Sequence, residues 1–263
     1  MEYLFAYHTD KGRVKAVNQD SLLVEQAVYR GQEAVLAVIC DGMGGLKHGE
    51  LASAEVISAF DKWFKGQFPE LTDQEEFEDD LYDSWEILLQ DIHRKIKEYG
   101  QTHGIRIGTT ATVMLLWEEE YYIAHIGDCR IYEIKEGIRR LTRDQVQAEI
   151  EIDGRENVLL QGIGASKRIC PVYYSGKAEE GTVFLMCTDG FRHKISEQEL
   201  YQFLAPNEMN EESVMSEQLR KITETVIERG ERDNISAIAL HTLSDQSENA
   251  VSAVTFIKKN REE

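Results

Sequence analysis

Proline is scarce in this chain, three residues in 263, and basic side chains are outnumbered, 29 against 48 acids, for a net charge of −19. That field repels phosphate backbones and anionic lipid at long range, so nucleic acid and membrane surfaces are excluded as expected partners. It would equally repel a phosphorylated substrate, unless bound cations reverse the sign locally. Cysteine is limited to Cys40, Cys129, Cys170 and Cys187, widely spaced and without a CxxC pair. Sitting in or beside apolar runs, they read as buried free thiols rather than a disulfide framework. The seven histidines show no HxxxH or HExxH spacing, so surface or core positions are expected for them. No window approaches the ~18 uninterrupted apolar residues of a membrane span. The opening "MEYLFAYHTDKGRVK" lacks the basic and apolar regions of a secretory signal. Residence in the cytoplasm is the expectation.

What is present is apolar content of 42% and charged content of 29%, an ordinary globular balance. Four short apolar segments end or begin at an aspartate: "AVLAVICDG", "YYIAHIGDC", "TVFLMCTDG" and "DNISAIAL". Their Val, Ile and aromatic content predicts strands. Further strands are expected at "DSLLVEQ", "GTTATVMLLW" and "CRIYEI", the last two flanking "EEEYYIAHIGD" closely enough for antiparallel hairpins, with "EGIRRL" closing the meander. Val56, Ile57, Phe60, Trp63 and Phe64 fall at helical spacing, and Leu81, Trp85, Leu88, Ile92, Ile96 and Tyr99 form the stripe of a longer helix. Ser196 with Glu199 three places on is a capping-box pattern, and Met215, Leu219, Ile222 and Val226 mark a further helix ended by Gly230. Helices therefore come in consecutive pairs between runs of strands. That order excludes a parallel βαβ sheet and predicts an α+β fold of antiparallel sheets covered by helix pairs. A single domain is expected over residues 1–243, followed at 244–263 by a linker-like "SDQSENA" and a possible extra strand or tail, "VSAVTFIKKN".

Asp-Gly is a common turn signal, and Asp153 in "EIDGRE" reads as that. Asp41, Asp128, Asp189 and Asp233 differ because each sits at the end of an apolar strand, where a rigid scaffold presents side chains to a site. If those ends converge, ionised carboxylates crowd a small volume, and cations must neutralise them. Hard divalent ions with oxygen ligands, Mg²⁺ or Mn²⁺, suit such a set. Glycine after Asp41 permits close backbone approach, which makes the Gly42 carbonyl a candidate ligand. Cys40 should point to the face opposite Asp41; Cys187, two before Asp189, is the one cysteine able to share a face with an acid as a soft ligand.

In the order "KAVNQDS", "CDGMGG", "GELAS", "GTTATV", "IGDCRIY", "LTRDQ", "CTDGF" and "RDNIS", these motifs resemble those of the metal-dependent protein phosphatases, the protein phosphatase 2C family in its compact bacterial form. The resemblance covers most of the chain. It implies an αββα sandwich, two antiparallel sheets face to face with helix pairs outside. It implies catalytic and metal-binding roles for Asp41, bridging two ions with the Gly42 carbonyl on one of them, and for Asp189 and Asp233 on the other. Asp128 matches the position that holds a third ion together with Asp189, and Asp20 the acid nearest the first ion. Expected cofactors are Mn²⁺ or Mg²⁺, two ions with a third as an extra. The reaction implied is hydrolysis of phosphoserine and phosphothreonine on proteins by a hydroxide bridging two divalent cations, in a monomer opposed by a cognate Ser/Thr kinase.

Three departures bear on that expectation. Lys15 stands where the family usually has a phosphate-gripping arginine, and lysine offers a point charge in place of a bidentate fork; Arg13 is the nearby substitute. Gln19 stands where many members have glutamate. Met43 occupies the place of a histidine that donates a proton in some relatives, so no protein general acid is named. Residues 143–172 fall where the family has a flap beside the site. A Cys-x5-Arg loop is absent, which removes tyrosine-phosphatase chemistry. The competing readings are a phosphatase-like binding or sensor module without turnover and a metal-dependent phosphodiesterase or nucleotidase.

Overall fold

In β3 (Gln32–Cys40) every residue from Ala34 to Cys40 is buried, so this strand needs an apolar layer on each face rather than water on one. The computed structural model, which describes residues 1–43, 48–146 and 159–244, supplies both layers. β3 lies in a five-stranded antiparallel sheet whose spatial order is β2 (Ser21–Tyr29), β3, β4 (Ala111–Trp117), β5 (Glu120–Ile126) and β8 (Val172–Lys177). The second sheet runs β1 (Glu2–Asp10), β10 (Ile235–Leu243), β9 (Val183–Cys187), β6 (Arg130–Ile134) and β7 (Ile138–Arg140), also antiparallel throughout.

Period-two alternation divides each strand between two layers. Val35, Ala37 and Ile39 face the other sheet and meet Phe184, Met186, Ile238 and Leu240. Leu36, Val38 and Cys40 face outward, beneath α1 (Gly49–Gly66) and α3 (Phe77–His103), where they join Phe60, Trp63 and Trp85. On the far side, Leu185, Cys187 and Ala239 pack under α5 (Glu197–Leu204) and α6 (Glu212–Glu228) through Leu200, Leu219 and Ile222. The layers are thus α, β, β, α, as expected. Trp63 and Trp85 meet edge to face with centroids 5.6 Å apart, and full burial of side chains this large contributes ~1.5–3 kcal/mol or more apiece. The Ser196–Glu199 capping box is formed in both directions.

Several expectations are corrected. β5 and β6 do not form a hairpin: at Gly127, whose φ is +114°, the chain leaves one sheet and β6 enters the other, where it pairs with β7 and β9. "EGIRRL" therefore closes no meander with β4 and β5. β1 and β8 were not foreseen as strands, and neither were the single turns α2 (Phe68–Leu71) and α4 (Asp189–Arg192). The buried stripe of α3 is rotated: Leu89, His93 and Gly100 are buried with Leu81, Trp85, Ile92 and Ile96, while Leu88 is only partly covered and Tyr99 is exposed. Cys170 is exposed, unlike the other three cysteines, because it lies beyond the packed layers. Cys187 packs in the cluster under α5 and α6. The Asp153 turn, the tail strand and part of residues 143–172 lie outside the described residues. Among the described residues no helix is long and apolar enough to cross a membrane.

Candidate active site

Antiparallel pairing brings one end of every relevant strand to the same edge of the sandwich. Ser21 pairs with Cys40, Ala111 with Ile126, Arg130 and Ala237 with Cys187, and Asp10 with Ile235. Asp20 enters β2, Asp41 leaves β3, Asp128 turns between β5 and β6, Asp189 opens α4 directly after β9, and Asp233 precedes β10. All five aspartates expected from the sequence therefore sit at one rim.

They are close enough to act on one another. Removal from water, followed by the charges of Asp20, Asp189, Asp128 and Asp233, holds the Asp41 carboxyl well above the usual carboxylate range. Burial also pushes Asp20 up to about 7, with Asp189 and Asp233 adding to it while hydrogen bonds from Ser236 and Thr188 pull the other way. Asp128 is likewise pushed up to about 7 by burial and then by Asp189, against the opposing charge of Arg192. Asp20 Oδ1 and Asp189 Oδ1 are buried without a hydrogen-bond partner among the described residues, an expensive state for a carboxylate oxygen. Among the described residues, no three His, Cys, Asp or Glu side chains close into a ready-made cage. Crowded acids with orphaned oxygens still fit hard divalent cations, because Mg²⁺ takes only one or two carboxylates and keeps several waters.

The backbone around Asp41 is tightly held. Asp41 N–H donates to Thr110 Oγ1 at 2.8 Å, and the Asp41 carbonyl accepts from Thr110 N–H and Thr109 Oγ1, both at 2.9 Å. Gly42 N–H donates to the Gln19 carbonyl at 3.2 Å, and a side chain on Gly42 would come within 2.5 Å of that oxygen. Glycine is required there by close packing. Asn234 staples the opposite side: its amide donates to the carbonyls of Lys11 and Val17 and its Oδ1 accepts from Gln19 N–H. Thr188 Oγ1 donates to Asp20 Oδ2 at 3.2 Å. The sequence motifs contain Thr109, Thr110, Thr188, Asn234 and Ser236 without pointing to these tasks, and Arg192 lies just outside them. Their signal was position, each lying within three residues of an acid or directly across a strand pair.

Lys15 Nζ lies 2.7 Å from Asp233 Oδ1, so this lysine does reach the acids. Arg13 is exposed on the same loop, and no described contact brings it to them. Gln19 turns its amide to Glu50 Oε2 at 3.2 Å, in the first turn of α1. Arg192 reaches the Asp128 carbonyl at 3.3 Å and lies 3.5 Å from Asp144. Asp144 is also gripped by Arg130 through Nε and Nη2, which ties the start of residues 143–172 to the Asp128 corner.

A buried histidine secures that same base. His125, fully buried in β5, bonds Thr112 Oγ1 through Nδ1 at 2.9 Å and the Arg143 carbonyl through Nε2 at 3.1 Å. Nε2 must carry the proton, leaving Nδ1 to accept from Thr112. Burial lowers its pKa from 6.5 to about 4, so protonation favours the unfolded chain once the pH drops below the unfolded value. Relative to a His125→Gln variant, wild-type stability should therefore fall by about 3 kcal/mol between pH 7 and pH 4. Urea midpoints at each pH measure this; parallel profiles for the two proteins would show that His125 titrates normally.

Comparison with known proteins identifies the family. The family model described as Protein phosphatase 2C matches residues 9–238. Protein phosphatase PhpP of Streptococcus pneumoniae is 28% identical, over 73% of this chain and 80% of its own length. In fold, the chain is similar to the serine/threonine phosphatase of S. agalactiae, with a TM-score of 0.76 at 23% identity over 92% of this chain and 100% of that one. It is similar also to Stp1 from Staphylococcus aureus, with a TM-score of 0.75 at 22% identity over 92% and 95% of the two chains. With nearly the whole chain matched by one family and the acids gathered at one rim of an αββα sandwich, this protein belongs to the protein phosphatase 2C family.

Proposed function

We propose that the protein is a metal-dependent protein serine/threonine phosphatase whose active site is the rim built from Asp20, Asp41, Asp128, Asp189 and Asp233. The observation that carries the reading is the mutual perturbation of these acids around Asp41, with orphaned oxygens on Asp20 and Asp189. Asp41, the Gly42 carbonyl, Asp189 and Asp233 would hold two Mn²⁺ or Mg²⁺ ions, Asp128 with Asp189 a third, and Asp20 would act through water. When bound, such ions supply countercharge for a phosphoryl group and lower the pKa of water toward neutrality.

The chain's own residues prepare the rest. Lys15 brings a positive charge to the acid rim, where it can exchange Asp233 for a phosphate oxygen. Thr109 and Thr110 fix the backbone that aims Asp41, and Thr188 orients Asp20. Cys40, Cys129 and Cys187 are set aside as nucleophiles by burial, which pushes the Cys40 and Cys129 thiols far up and Cys187 up to about 12. Substrates on this reading are phosphoserine and phosphothreonine proteins in the cytoplasm, modified by a cognate kinase and met by a monomeric phosphatase.

Protein stripped with chelator and resupplied with Mn²⁺ or Mg²⁺ should release phosphate from an aryl phosphate and from a phosphothreonine peptide, and leave a phosphodiester intact. Silence with both ions would favour a binding module; diester cleavage would favour a phosphodiesterase.

A further inference from the structure

The chain contains six methionines and four cysteines, and the structure sorts them sharply by access. Met114, Met186, Met209 and Met215 are 0% exposed. Cys40, Cys129 and Cys187 are buried, with thiols pushed up by removal from water, so the sulfurs nearest the acids are sealed and unreactive. Apart from Met1 at the chain start, the sulfur-bearing residues that escape full burial are Met43, which is half-buried, and Cys170, which is exposed. Met43 is two residues from Asp41.

Met43 also sits at a junction of three segments. Its N–H donates to the Gly108 carbonyl at 3.1 Å. Its sulfur fills the space left by two glycines: a side-chain carbon built on Gly162 would lie 2.9 Å from Sδ, and one built on Gly108 would lie 3.0 Å from it. Gly108 leads into Thr109 and Thr110, whose hydroxyls and N–H hold Asp41. Gly162 leads into Ile163, which exchanges backbone hydrogen bonds with Thr109 at 2.8 and 3.1 Å. The thioether is therefore the apolar wedge between the residues that hold Asp41 and the segment leaving the flap region.

We infer that Met43 is an oxidation-sensitive modification site through which peroxide reversibly switches off the proposed active site. In the step, a sulfur lone pair attacks one peroxide oxygen and the O–O bond breaks. The sulfur, oxidised by two electrons, keeps that oxygen as a sulfoxide, and the other oxygen leaves as water after proton transfer. The product is polar and pyramidal where the packing admits a flexible apolar chain against two glycine backbones. Relief requires the Gly108 and Gly162 segments to separate, and that motion reaches Asp41 through Thr109 and Thr110. A thiol-driven methionine sulfoxide reductase restores the thioether.

This inference rests on the phosphatase reading, and the two fail differently. Chelated full-length protein is treated with hydrogen peroxide, peptide-mapped for oxygen addition, then resupplied with Mn²⁺ and assayed against its own untreated sample. Expected are sulfoxide at Met43 while the four buried methionines stay unmodified, a loss of at least about 10-fold in kcat, faster hydrogen exchange at the Thr109 amide, and recovery with reductase but not with dithiothreitol alone. Cys170→Ser should behave as wild type, and Met43→Leu should keep its own untreated activity through the treatment. Equal inactivation of Met43→Leu, full activity with Met43 oxidised, or failure of the reductase to restore activity would each overturn the inference. An untreated protein without activity would instead sink the phosphatase reading, and unchanged Thr109 exchange after oxidation of Met43 would still count against the switch.

Discussion

Asp41→Asn lowers kcat for an aryl phosphate by about 10³-fold or more, and the metal-free variant is at least as stable as wild type at pH 7. Two physical effects with opposite consequences meet in one carboxyl. Countercharge and activated water are worth several kcal/mol to phosphate hydrolysis, and each 1.36 kcal/mol is a factor of ten in rate. Losing the anionic group that all four neighbouring aspartates perturb removes the centre of the proposed cation site. Without cations, however, that carboxyl is a liability, since burial and four like charges oppose its ionisation. Asparagine keeps the shape and discards the charge, and the backbone hydrogen bonds to Thr109 and Thr110 remain available. Steady-state kinetics with Mn²⁺ and urea melts in chelator measure the two halves. Retained turnover would falsify the bridging role, and a destabilised variant would mean that Asp41 serves packing instead.

The second large effect is that Asp128→Asn is more stable than wild type in chelator, by about 4 kcal/mol at pH 8. The folded-state pKa of Asp128 is raised from 3.8 to about 7 by burial and then by Asp189. Between those values the folded protein retains a proton that the unfolded chain has released, so stability drains away as the pH rises from 4 through 7. Asparagine does not titrate; the two proteins should coincide near pH 4 and diverge above it. Mn²⁺ or Mg²⁺ should narrow the gap, since ions that bind only the folded wild type add ~2.7 kcal/mol at a hundred times their dissociation constant. Chemical denaturation from pH 4 to 8, with and without metal, gives both curves. A gap that is constant with pH, or that metal leaves unchanged, would place Asp128 outside the proposed cation site.

The acids were legible because each closes or opens an apolar strand, and strand ends are fixed by a period that sequence displays directly. Thr188 and Ser236 were not legible, although they bond the buried Asp20, because their partnership depends on β9 and β10 lying side by side. β5 and β6 were misread for a related reason. A short connection normally means a hairpin, and only the +114° φ of Gly127, invisible in one-letter code, sends the chain across to the other sheet. β1 escaped because its alternation is interrupted by Tyr7, His8 and Thr9. In α3 the ambiguity between Leu88 and Leu89 is intrinsic to 3.6 residues per turn, and packing under Trp85 decided it.

β10 is an interior strand of its sheet, with edge strand β1 on one side and β9 on the other, and Glu2 pairs with Leu243. On a ribosome adding ~5–20 residues per second, the first strand waits roughly 10–50 s for its partner to be made. Throughout that interval β1 and β9 present unpaired edges, and Asp233 has not taken its place beside Asp20 and Asp189. Until β10 has emerged, the rim lacks Asp233 and the proposed active site of the nascent chain is incomplete.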